Sequence, residues 1–71
     1  MKASNYELSR SEWEYLIYQY IFHERNRAII ARCLLDGRTY EQVAEEFGIS
    51  TQRAQMIVQE CWKRLLKQIE K

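Results

Sequence analysis

The sequence predicts an all-α fold, a four-helix domain, and three observations carry that prediction. The 71 residues include no proline and only two glycines, Gly37 and Gly48, so two marked breaks interrupt an otherwise helix-compatible chain. Apolar residues recur at helical spacing through most of its length. Residues favoured as N-caps, Ser9, Thr39 and Ser50, stand immediately before such stretches. A chain this short makes one domain over 1–71 with one small core, near the lower limit for folding without staples.

Residues 1–8 carry no periodic pattern and are expected to be disordered. Two overlapping capping boxes, Ser9 with Glu12 and Ser11 with Glu14, start the first helix. Trp13, Leu16, Ile17 and Tyr20 form one apolar stripe on it. Tyr15, Tyr18 and Phe22 form a second stripe on the opposite side. A surface helix buries one face, so two faces predict burial on both sides. Either a second chain covers the outer stripe, or the last helix folds back to place Trp62, Leu66 and Ile69 over it. We take Tyr15, Tyr18 and Phe22 as a candidate interface, a homodimer being the simplest partner. His23 to Asn26 reads as a bend. Arg27 to Leu35 reads as the second helix, with Ile29, Ile30, Cys33 and Leu34 inward and Gly37 as its left-handed terminator.

The stretch from Thr39 to Val58 has the pattern of a helix-turn-helix. Thr39 caps a short helix with Gln42 as its reciprocal partner, and Val43, Ala44 and Phe47 face inward. Gly48 takes the reversal, because a left-handed conformation costs glycine nothing sterically. Ile49 plugs the corner and Ser50 caps the next helix. Ala44 and Ala54 are small where two crossed helices approach most closely. The last helix runs from Thr51 to about Ile69, burying Ala54, Ile57, Val58, Cys61 and Leu65.

Opposite that stripe lie Gln52, Met56, Gln59 and Lys63, with Gln55 and Thr51 beside them. A glutamine amide bonds bidentately to adenine in the major groove, and an apolar group meets the thymine methyl. Thr51, Gln52, Gln55, Met56 and Gln59 are therefore the candidate base-reading set. Arg25, Arg32, Arg38, Thr39, Ser50, Arg53 and Lys63 are the candidate phosphate contacts, arginine and lysine by charge and the hydroxyls at helix N-termini.

Net charge is only +1, but its distribution is uneven. Residues 1–24 carry −2, residues 25–38 carry +3, residues 39–49 carry −3 and residues 50–71 carry +3. Basic segments flank an acidic first helix of the motif, which permits a local basic surface on a nearly neutral protein. Two cysteines, Cys33 and Cys61, fall on core faces and read as reduced, packed thiols. No apolar run approaches the roughly 18 to 20 residues of a membrane span, and no signal-peptide pattern opens the chain, so a cytoplasmic protein is expected. His23 has no nucleophile beside it and the glutamates are spaced as solvent-facing positions. An enzyme, a cofactor or a metal site is not expected.

From Glu24 to about Leu66 the chain resembles region four of bacterial sigma factors, the part that recognises the −35 promoter element. The matching residues are Glu24-Arg25-Asn26-Arg27-Ala28-Ile29-Ile30 and the run from Leu35 through Gly37-Arg38-Thr39-Tyr40, Val43-Ala44 and Phe47-Gly48-Ile49-Ser50. The resemblance implies a helical DNA-binding domain whose last helix enters the major groove. In some family members it also touches RNA polymerase or a regulator. Sigma factors usually carry Arg-Glu-Arg after the serine and then Arg-Gln, whereas this chain has Thr51-Gln52-Arg53 and then Gln55-Met56. It looks like a stand-alone sigma-like regulator of the phage or mobile-element type, bacterial or phage-encoded. The expected function is sequence-specific binding of double-stranded DNA to regulate transcription. The alternative is a protein-interaction module docking on RNA polymerase or a sigma-like partner.

Overall fold

A computed structural model describes residues 7–69, which form four helices: α1 (Arg10–Tyr20), α2 (Glu24–Leu34), α3 (Tyr40–Phe47) and α4 (Thr51–Ile69). The first six residues of the segment expected to be disordered lie outside the described residues. Leu8, also in that segment, is half-buried against the core.

Local chemistry sets the start of three helices. The Ser9 hydroxyl accepts from Glu12 N at 3.2 Å and the Glu12 carboxylate accepts from Ser9 N at 2.9 Å. Thr39 and Gln42 repeat this reciprocal box at α3, at 3.1 and 3.0 Å. Ser50 Oγ accepts from Arg53 N at 3.0 Å at the head of α4. Each arrangement satisfies N–H groups that a helix start otherwise leaves without a partner. Ser11 is inside α1 and does not cap it.

Two expectations about α1 and α2 are corrected. Helix α2 starts at Glu24, three residues before the expected Arg27, with His23 as a cap that makes no side-chain bond. The polar run Glu24-Arg25-Asn26 is helical as the first turn of an element whose next turns are buried, with Glu24 and Arg25 exposed and Asn26 half-buried. Helix α1 ends at Tyr20 with Ile21 extended, so Phe22 is not part of a helical stripe. The buried residue at this turn is Ile21, 3% exposed, which belongs to neither of the two expected stripes.

The core joins all four helices. Trp13 and Ile17 of α1, Ile29, Ile30, Cys33 and Leu34 of α2, Val43 and Ala44 of α3, and the predicted stripe of α4 are all buried. Trp62 packs on Trp13 with ring centroids 5.6 Å apart, an aromatic pair worth about 0.5–1.5 kcal/mol beyond its area. The last helix therefore folds onto the inner stripe of α1, not the outer one. Tyr15, Tyr18 and Phe22 remain 63%, 64% and 74% exposed.

The turn of the motif has the expected geometry. Gly48 has φ +65° and its N–H points to the carbonyls of Ala44 and Glu45. Ile49 N donates to Ala44 O at 3.0 Å, closing the helix end, and the Ile49 side chain packs against the core. Ala44 and Ala54, 3% and 0% exposed, let α3 and α4 approach. Gly37 is also left-handed, at φ +70°, two residues beyond the Leu35 cap of α2.

Candidate nucleic-acid interface

The outer face of α4 is open along its length. Thr51, Gln52, Gln55, Met56, Gln59 and Lys63 are exposed, Met56 to 55%, while Ala54, Ile57, Val58, Cys61 and Leu65 are buried beneath them. The separation follows from the 3.6-residue period: burying one stripe under α2 and α3 directs the glutamines away from the protein. None of these side chains makes a hydrogen bond to a described residue. Their amides are available to a ligand.

The four candidate arginines divide into two groups. Arg25, at the head of α2, and Arg53, in the first turn of α4, line one groove of about 200 Å³ with Asn26, Met56, Ile57 and Glu60. Among the described residues no carboxylate lies within 4.0 Å of either guanidinium. Helices α2 and α4 pack along much of their length, so residues 28 apart in sequence come to share this edge.

Arg32 and Arg38 have different surroundings. Arg32 donates from Nε to Glu46 Oε2 at 3.1 Å and lies 3.6 Å from Asp36, while Arg38 is 4.0 Å from the other Glu46 oxygen. Asp36 also accepts from Arg10 at 2.9 Å, and Arg10 pairs with Glu14 at 3.5 Å. The result is an alternating network across α1, α2, the α2–α3 loop and α3. Hydrogen bonding to Asp36 raises the Arg10 pKa further above its ordinary value. Of the four arginines in residues 25–38, Arg32 and Arg38 are thus held by carboxylates, Asp36 from within the segment and Glu46 from α3.

Arg27 was not singled out as a functional residue by its position in the sequence. Its Nε donates to Ile21 O, its Nη2 donates to Tyr18 O at 2.9 Å, and its guanidinium lies over the Tyr18 ring. The signal for it was indirect: α1 has no basic residue in its own last turn, which leaves its negative end open to a cation from another element.

Cys33 and Cys61 are buried, and burial pushes both thiols above their ordinary range, so they are protonated packing groups. Among the described residues no helix is long and apolar enough to cross a membrane, and no group of His, Cys, Asp or Glu is arranged to hold a metal ion.

Four helices, a capped glycine turn and an open polar face on the second motif helix define a helix-turn-helix domain. The model of the family described as Sigma-70, region 4 matches residues 22–67, well over half of the chain, and the protein belongs to that family. The family is one of DNA-binding helix-turn-helix domains with a regulatory role, not a family of enzymes. No curated protein and no solved structure matches the chain.

Proposed function

We propose that the protein is a sequence-specific transcription regulator that lays α4 in the major groove of double-stranded DNA. The carrying observation is the unpaired polar face of α4, with Arg25 and Arg53 brought to its edge. Thr51, Gln52, Gln55, Met56 and Gln59 read base edges, and Arg25, Arg53 and Lys63 hold backbone. Thr39 and Ser50 fit phosphate as well. Each hydroxyl oxygen accepts a cap bond from its own helix, which leaves its hydrogen to donate to an anion. Arg32 would have to leave two carboxylates to join them. A regulator of this kind acts in the cytoplasm of a bacterial or phage-infected cell.

The test is a salt titration on a site selected from a random DNA pool. The logarithm of the affinity should fall linearly with the logarithm of salt, with a slope near −0.9 per phosphate neutralised. Arg25→Ala and Arg53→Ala should each lower that slope by about one. Binding that is absent, or insensitive to salt, overturns the reading.

A second reading draws on the exposed Tyr15, Tyr18 and Phe22. Aromatic side chains grouped on a surface mark protein interfaces. The exposed aromatic residues of α1 and of the turn after it serve a protein partner: a second copy, RNA polymerase or a sigma-like protein. A two-fold pair would place its two reading helices about 34 Å apart, on successive turns of DNA.

A further inference from the structure

Glu46 stands between Arg32 and Arg38, two of the three arginines held in the ionic network. Its Oε2 takes Arg32 at 3.1 Å, and its Oε1 is 4.0 Å from Arg38. The two pairs are unequal. Arg32 also has Asp36, at 3.6 Å, and keeps a carboxylate if Glu46 is lost. Arg38 has Glu46 alone among the described residues, at the outer limit of an ion pair, and its side chain is 51% exposed. It directly precedes Thr39, the N-cap of the first motif helix.

We propose that Glu46 is an affinity-setting residue: it draws the Arg38 guanidinium back along α3 and yields it to a nucleic-acid phosphate on binding. The inference rests on the DNA-binding reading above. An exposed pair at this separation is weak and opens readily. A phosphate offers the guanidinium two oxygens in the fork geometry it prefers. The protein thus binds at the expense of one internal pair, and its affinity is lower than its count of arginines implies.

The experiment combines Glu46→Gln, Arg38→Ala and the double variant. Each is measured for binding to the selected DNA at several salt concentrations and for elution from immobilised heparin, a polyanion without bases. Glu46→Gln should bind DNA about three- to fivefold more tightly, with a salt slope steeper by up to about one, and should leave heparin at higher salt. Arg38→Ala should abolish both gains in the double variant. The same gain with and without Arg38 means that Glu46 acts by repulsion alone and overturns the proposal, as does no gain in either background. Should Glu46→Gln fail to fold, Glu46→Asp keeps the charge but withdraws it from Arg38, and the same gain is expected. Absence of DNA binding in the wild type and in every variant, with the heparin pattern intact, overturns the DNA reading and leaves the Arg38–Glu46 exchange standing. DNA binding without the Arg38-dependent gain overturns the exchange alone.

Discussion

The guanidinium of Arg27 lies 4.4 Å from the centroid of the Tyr18 ring while it donates to the carbonyls of Tyr18 and Ile21. One side chain of α2 therefore terminates α1. It supplies donors where the last carbonyls have lost their helical partners, and a positive charge at the negative end of the helix dipole. It also covers one face of a tyrosine that is otherwise open to solvent.

Arg27→Met keeps the apolar stem and removes the charge and donors. The variant should lose about 1.5–3 kcal/mol of stability, the range for hydrogen bonds to a charged group, and Arg27→Lys should restore only part of it, having no planar fork. Urea denaturation of the three proteins measures this. Equal midpoints for Arg27→Met and wild type would show that the clamp contributes nothing.

Gly48 separates backbone strain from crowding. A Cβ built there meets nothing within 4 Å, yet φ is +65°. Gly48→Val should cost more than about 1 kcal/mol through conformation alone, whereas Gly48→Asn, a residue that tolerates the left-handed region, should cost less. The order of the two melting temperatures is the readout, and equal values would remove strain as the cause.

Base reading and backbone holding predict different losses on neighbouring residues. Gln52→Ala should weaken the selected site by about 1–3 kcal/mol and blur its preference at one base pair, with little change on random DNA. Arg53→Ala should weaken all sequences alike. Parallel titrations on selected and random duplexes compare them, and an equal loss on both for Gln52→Ala would count against base reading.

The Ser9–Glu12 box predicts the shape of the acid limb. Bonds from the Ser9 backbone and hydroxyl hold the Glu12 carboxyl below the usual glutamate range. A carboxyl depressed in the folded state stabilises the fold fully above its unfolded value, and that contribution is lost as pH falls through the lower, folded value. Glu12→Gln should flatten this part of the stability–pH profile by lowering the neutral plateau, while the two proteins converge in acid, where the wild-type carboxyl is itself protonated. A variant profile that runs parallel to wild type through the glutamate range would refute the assignment.

The exposed aromatic residues of α1 and of the turn after it are tested by sedimentation of the wild type and a Tyr15→Glu, Phe22→Glu double variant. Association through this face predicts a wild-type dimer at tens of micromolar and a folded monomeric variant. A wild-type monomer at that concentration excludes self-association and leaves a different protein as the partner. A variant that unfolds would mean that these side chains serve the fold.

The sequence by itself determined the parts of this protein that are local. Capping at Ser9, Thr39 and Ser50, the left-handed turn at Gly48 and the buried stripe of α4 depend on residues within a few positions of one another. Their signatures are short patterns of side-chain chemistry and a 3.6-residue period. The open face of α4 followed at once, as the complement of that stripe. Tertiary structure alone decided which arginines are available. Arg25, Arg32, Arg38 and Arg53 are alike in sequence, but helix packing sets Arg25 beside Arg53 and brings Glu46 to Arg32 and Arg38. It also decided that Trp62 meets Trp13 and leaves Tyr15 and Tyr18 outside, and that Arg27 caps a helix to which it does not belong. Ion pairs and end-caps between helices depend on where elements meet in space, and no local spacing encodes that meeting.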